Sequence, residues 1–405
     1  MAETFVRFWG IWVPGVSDRL LVVDAGTILS PLERFAPGRI IIRNGRIEAV
    51  GLRSDIRLPA DARIIDASRL TVTPGFIDPH IHGCAGADVM EASFASMNTI
   101  SRALASHGTT SFLPTTVSAT SEILGGVMDR MGALLRQPFE FAQPLGIHME
   151  GPFISVDKRG THRAINVCPP DLSLLSDWIR RSNATLKLMT MAPEVDGAMD
   201  VAHLARTAGI TVAMGHSNAS FDDATSAANN GTCYAVHTFN AMRPLGHRDS
   251  GITGAVLSDD RIFAEIISDG IHVSPEVVRI FARSKGRERI ILVTDAISAT
   301  GMPDGAYDLG TDKVLVKAGV CRDEEGRLAG STLTQDAALR NFIRFSGMRL
   351  DDALFGLTWN PAAALKLEGR GCIEQGSHAD LAMLDDELRV MKTLCGGRLV
   401  FERPS

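Results

Sequence analysis

LKLMTMAPE (186–194), DVAHLARTAG (200–209), ITVAMGHS (210–217) and DDATSAANNG (222–231) follow one another with only short joints between them. The first and third are apolar runs too short for a core helix, and the second and fourth carry small and apolar residues at helical spacing. TSFLPTTV (110–117) followed by SEILGGVMDRMGALLRQ (121–137) repeats the pattern upstream. Strand and helix therefore alternate through the middle of the chain, as in parallel βαβ units. Over a span of this length the alternation predicts a closed (β/α)8 TIM-like barrel rather than an open doubly wound sheet, and no GxGxxG opens a helix.

Outside this region the pattern changes. LLVVDAGTIL (20–29) and RIIIRNGRIEAVG (39–51) are β-branched runs, and Asn44-Gly45 within the second is a strong hairpin signal. CIEQGSHADLAMLDDE (372–387) and LCGGRLVFE (394–402) have the same short-strand character. The expectation is an α/β protein with a barrel over 74–370 and a small β-sandwich domain built from both chain ends, 1–73 and 371–405. TDKVLVKAGVCRDEEGRLAGST (311–332) reads as a hairpin inserted at the barrel rim, with Asp323, Glu324, Glu325 and Gly326 as its turn.

Composition sets limits on function. With 405 residues, 45% hydrophobic and 22% charged, the chain can build one large core and a smaller companion. A net charge of -6 argues against a nucleic-acid partner, which would need a clustered basic surface. ETFVRFWGIWVPGVSDR (3–19) is interrupted by Arg7, Pro14 and Asp18, so it reads as neither a signal peptide nor a membrane span. Cys84, Cys168, Cys233, Cys321, Cys372 and Cys395 form no CxxC pair and suit reduced thiols in a cytoplasmic protein.

Six potential metal ligands lie at the ends of separate apolar runs. They are His80 and His82 in PGFIDPHIHG, Glu150 in LGIHMEGPF, His216 in TVAMGHS, His237 in YAVHTFNAM and Asp295 in RIILVTDA. Taken singly, each histidine is more often a hydrogen-bonded core residue than a ligand. Together they would each need a buried partner to offset desolvation, and one divalent ion serves them all. His80 and His82, two apart on a strand, face the same side. Glu150 precedes Gly151-Pro152, which ends its strand, and His148 shares its side but reads as a packing or supporting histidine. Asp295 follows the last barrel strand, where a carboxylate can take a proton from a metal-activated water and return it to a leaving nitrogen.

These residues resemble those of the amidohydrolase superfamily, and finer motifs resemble its N-acetylglucosamine-6-phosphate deacetylases. The motifs are HMEGPF (148–153), KRGTHR (158–163), MGHSNA (214–219), HTFNAM (237–242), HRDSG (247–251), SDGIHV (268–273), VTDAISATG (293–301) and LAGSTLT (328–334). The resemblance implies a hydrolase that removes acetate from a small-molecule amino sugar phosphate. It implies Glu150, His216 and His237 as principal metal ligands, a second ion held by His80 and His82 with Glu150 bridging, and Asp295 as catalytic acid and base. His162 matches a group that polarises the substrate carbonyl, and Asn240, Ala241, Arg248 and His272 match substrate contacts, Arg248 being suited to phosphate. Zinc is the leading expectation for the divalent metal, with iron, manganese or cobalt compatible, at one or two ions per subunit of a homodimer. The galactosamine epimer is the alternative substrate, and a hydrolase of cyclic amides or a deaminase the alternative within the superfamily.

Overall fold

The computed structural model describes residues 20–404, so the reading made for 3–19 lies outside the described residues. Eight strands surround a common axis: β1 (Phe76–Ile81), β2 (Thr109–Thr116), β3 (Ile147–Glu150), β4 (Leu186–Met191), β5 (Thr211–Met214), β6 (Tyr234–Ala235), β7 (Phe263–Ile267) and β8 (Ile290–Val293). Each pairs in parallel with the next. The ring is completed by a parallel bridge between Ile81 and Ala296 and by the Asp295 N–H donating to His80 O at 3.0 Å. This is the barrel that the βα alternation predicts.

Helices α1 (Phe94–Ala105), α2 (Ser121–Leu134), α3 (Leu172–Arg181), α4 (Ala198–Thr207), α5 (Phe221–Asn229), α6 (Gly251–Ser258) and α7 (Pro275–Lys285) return the chain between successive strands, and α8 (Gln335–Ser346) follows β8. Several begin where a side chain satisfies the free N–H groups of the first turn: Ser93 before α1, Thr120 before α2, Asp171 before α3 and Ser220 before α5. Because helices cover the sheet outside and side chains fill it inside, barrel strands such as β2 and β8 are buried at every residue. The pleat decides what each face carries. In β3, Ile147 and Met149 join Leu175 and Trp178 in the layer under the helices, while His148 and Glu150 turn to the barrel interior.

The two chain ends meet in one mixed eight-stranded sheet, ordered 398–402, 390–395, 381–384, 63–74, 21–29, 38–43 and 46–52, with 34–35 beside 21–29. Asn44 (φ 51) and Gly45 (φ 75) form the expected tight turn. The sheet curls so that its 46–52 edge meets the segment leading into 381–384, Ile47 N–H donating to Ser377 O at 2.9 Å and Arg46 forming an antiparallel bridge with His378. Val23, Ile40, Ile42 and Ile47 thereby face Leu381, Met383 and Leu394 in one sandwich-like core. Arg370 fastens this sheet to the barrel, binding the Asp380 carboxylate and Ser111 Oγ, the latter at 2.9 Å.

Between β8 and α8 the chain forms a three-stranded antiparallel sheet of 305–309, 312–317 and 320–322. Its first strand, GAYDL, was not anticipated, because it is short and interrupted by Asp308. Ala318 (φ 50) and Gly319 (φ 74) make the turn between its second and third strands, and the polar run 323–326 makes the expected turn, bringing Leu328 back beside Arg322 in an antiparallel bridge. Among the described residues no helix is long and apolar enough to cross a membrane, and all six cysteines are free.

Candidate active site

The six candidate ligands come together at the carboxyl ends of the barrel strands. β1 supplies His80 with His82 just beyond it, β3 ends on Glu150, and His216, His237 and Asp295 lie two residues past β5, β6 and β8. Gly83 follows the pair because a Cβ there would stand 2.5 Å from Ala87 O. His216 (φ 48), His237 (φ 28) and Asp295 (φ 49) are left-handed, a conformation costing roughly 1–3 kcal/mol for a residue with a Cβ. Barrel packing holds all three there, and their side chains converge.

The convergence has the dimensions of a coordination shell. Glu150 Oε1 lies 3.0 Å from His237 Nε2 and 3.3 Å from His216 Nε2, and the two imidazole nitrogens are 3.0 Å apart. Donors about 2.0–2.1 Å from a tetrahedral ion stand about 3.3 Å from one another. A second group shares the same carboxylate. His80 Nε2 is 3.2 Å from Glu150 Oε1, His82 Nε2 is 3.4 Å from Glu150 Oε2, and Asp295 Oδ1 is 3.6 and 3.2 Å from the two rings. Glu150 thus stands between two half-sites.

The far side of each ring shows which nitrogen is free to coordinate. His80 Nδ1 bonds Glu265 Oε2 at 2.9 Å, His82 Nδ1 bonds Thr115 O at 3.1 Å, and His216 Nδ1 bonds Lys158 O at 3.0 Å. Each acceptor fixes the proton on Nδ1 and leaves the Nε2 lone pair for a cation. The buried His80 Nε2 has no hydrogen-bond partner, so these residues fit a divalent ion. His162 is wired oppositely. Its Nδ1 accepts from the Ser118 N–H at 3.0 Å, which puts the neutral ring's proton on Nε2, 3.5 Å from Glu150 Oε2. Although His162 is close enough to group with Glu150 and His216, it faces the site as a donor.

Charge follows from this crowding. Burial works against a charged His82, but hydrogen bonds to Asp295 and Glu150 outweigh it and push the ring up to about 9. Burial governs His216 instead and brings it down to about 4. Burial also pushes Asp295 up, yet His82 and His80 overcome it and hold the carboxyl at about 2. Protons on imidazole thus balance the carboxylates where a cation would do so. His148 is pushed well below its ordinary value by burial and by His80, and stays neutral between Thr190 Oγ1 (2.8 Å) and Pro79 O (3.2 Å).

A cavity of about 220 Å³ lies over the ligands, bounded also by His162, Asn240, Ala241 and His272, by Leu309 of the inserted sheet and by Leu328 just beyond it. It shares His162, Thr161, Val117 and Leu309 with an outer vestibule of about 570 Å³. His272 Nδ1 bonds Asp269 Oδ2 at 2.6 Å, and that carboxylate outweighs burial to raise the ring. Arg248 is not among these residues. It sits exposed on the loop after β6, while Asp249, its alternative partner, is held by Arg243 Nε at 3.0 Å. Sequence reasoning overlooked Glu265, which is buried behind His80, and Tyr234, which bonds it. The signal for Glu265 was a carboxylate inside the apolar run FAEII.

Comparison with known proteins agrees with this geometry. Residues 71–400 match the model of the amidohydrolase family. N-acetylglucosamine-6-phosphate deacetylase of Lysinibacillus sphaericus is 36% identical over 335 residues, covering 83% of this chain and 87% of that protein. N-acetylgalactosamine-6-phosphate deacetylase of Escherichia coli O157:H7 is 33% identical over 342 residues, covering 84% and 90%. The structure of a mutant N-acetyl-D-glucosamine-6-phosphate deacetylase from Mycobacterium smegmatis, in complex with N-acetyl-D-glucosamine-6-phosphate, superposes with a TM-score of 0.88 at 33% identity, covering 94% of this chain and 99% of that one. With its ligand cluster, its barrel and these relatives in agreement, the chain belongs to the amidohydrolase family.

Proposed function

We propose that the protein hydrolyses the acetamide of N-acetylglucosamine 6-phosphate, giving glucosamine 6-phosphate and acetate. The observation that carries this reading is the Glu150, His216 and His237 triangle facing the His162 Nε2–H and the Asp295 carboxylate across one small cavity. A divalent ion bound there supplies Lewis acidity and can lower the pKa of its water from about 15.7 to about 7. Glu150, His216 and His237 would hold a first ion, and His80, His82 and Asp295 would hold a second, with Glu150 shared by both sets. Zinc suits this set of imidazole and carboxylate donors.

The protein's own groups then divide the work. His162 Nε2–H donates to the acetyl oxygen as charge gathers on it. Asp295, ionised at neutral pH, accepts the proton of the attacking water and passes it to the nitrogen, so that the C–N bond breaks to free amine and acetate. His272, held by Asp269, orients the sugar phosphate together with Asn240 and Ala241. Arg248 lies outside its own cavity and would serve the phosphate of a neighbouring subunit in a homodimer. Free cysteines throughout the described residues suit a cytoplasmic enzyme.

Similarity to the N-acetylgalactosamine-6-phosphate deacetylase of Escherichia coli O157:H7 makes epimer preference the second reading. Acetate release from both N-acetylhexosamine 6-phosphates, with elemental analysis of the same preparation, tests both. Release from neither sugar by the metal-loaded protein would overturn the proposal, and faster release from the galactosamine epimer would reverse the preference.

A further inference from the structure

Strand β7, FAEII, carries one charged residue, Glu265, and it is fully buried at 0% exposure. Nothing in the proposed reaction uses it. A lone carboxylate is costly to bury unless its oxygens are satisfied, and here they are. Oε1 accepts from Tyr234 Oη at 2.8 Å, and Oε2 accepts from the His237 main-chain N–H at 3.0 Å and from His80 Nδ1 at 2.9 Å. Those last two donors belong to different half-sites, His237 to the first and His80 to the second. Tyr234 occupies the remaining oxygen, which leaves Oε2 to the two nitrogens.

We propose that Glu265 is a positioning residue that locks the two metal half-sites together, holding the His80 ring with Nε2 bare toward a divalent cation while pinning the turn that presents His237. The inference rests on the two-ion reading above. Its two contacts are unequal. At His80 the carboxylate fixes the tautomer and strengthens the ring as a donor. At His237 it fixes only the main chain, which the barrel also restrains through the Thr238 N–H to Glu265 O hydrogen bond at 2.9 Å. Removing the charge should therefore weaken the ion held by His80 and spare the ion held by His237.

Glu265→Gln makes that separation. Its amide can place the oxygen toward His80 and His237 and the NH2 toward Tyr234, whose hydroxyl can rotate to accept, so shape is kept and charge is lost. Wild type and E265Q, freed of metal and retitrated with zinc against a chromophoric chelator, report stoichiometry and affinity without any turnover. The expected result is two ions in wild type, and in E265Q a first ion unchanged within about threefold with a second weakened about 10- to 100-fold. Thermal unfolding of the metal-free forms should coincide within a few degrees. If E265Q does not fold, E265D retracts the same carboxylate by one methylene and should show the same selective loss. Two ions bound by either folded variant at wild-type affinity, or equal weakening of both, overturns the assignment of Glu265 alone. A wild type that takes up a single ion overturns the two-ion reading and this inference with it.

Discussion

Asp295→Asn removes the base while keeping a neutral oxygen where the carboxylate stood. The backbone at 295 is left-handed (φ 49), and asparagine is the side chain with a Cβ that adopts this conformation most readily, so the variant adds no strain. It keeps an oxygen at the Oδ1 position, 3.2 Å from His82 Nε2 and 3.6 Å from His80 Nε2. It does not touch Glu150, His216 or His237, so the ion they hold should remain. What disappears is a base that is ionised at neutral pH. General acid–base assistance is worth about 10²- to 10⁴-fold, or roughly 2.7–5.4 kcal/mol of barrier at 1.36 kcal/mol per decade. The assay is acetate release at saturating N-acetylglucosamine 6-phosphate, with zinc content measured on the same sample. The loss should fall on kcat, with KM nearly unchanged. A folded, zinc-loaded variant turning over within tenfold of wild type would refute the role of Asp295.

Four further outcomes are expected. Arg248→Ala should lower kcat/KM about 10- to 100-fold for the phosphorylated sugar, the scale of a charged hydrogen bond, and hardly at all for N-acetylglucosamine; equal losses would remove the phosphate contact. At pH 7 His82 carries a proton that a cation must displace, so zinc uptake should release protons at pH 7 and tighten toward pH 9, as calorimetry in buffers of different ionisation heat would show. In chelated protein the raised His82 value stabilises below its unfolded value of about 6.5 and is lost as pH rises through about 9, so the melting temperature should be lower at pH 9.5 than at pH 6; the reverse order would contradict it. Arg370→Met strands the buried Asp380 carboxylate at the junction of sheet and barrel, and denaturant unfolding should show a loss of about 3 kcal/mol; less than about 1 kcal/mol would mean the pair behaves as a surface contact.

The barrel was legible because its strands are buried on both faces and read as short apolar runs with helix-like stretches between them. Ligands at strand ends were legible for a related reason, since each interrupts an apolar run where a strand must stop. Glu265 escaped because it sits inside a run rather than at its end, and its meaning comes from His80, 185 residues away. The proton of His162 was equally hidden, being set by the main chain of Ser118, 44 residues upstream. The inserted sheet was half read: DKVLVK alternates clearly, but GAYDL shows its pairing only once Val314 and Leu315 lie beside it.

The sheet shared by the two chain ends imposes an order on biosynthesis. Strand 63–74 can pair with 21–29 as soon as both have left the ribosome, yet its other edge waits for 381–384. Until then Thr71 to Pro74 offer unpaired main-chain groups, the kind of edge to which a neighbouring nascent chain can add. The start of β1 waits with them, because Gly75 N–H donates to Asp380 O at 2.8 Å. A chain interrupted before 381–384 therefore carries every barrel strand and still lacks the clasp on this edge.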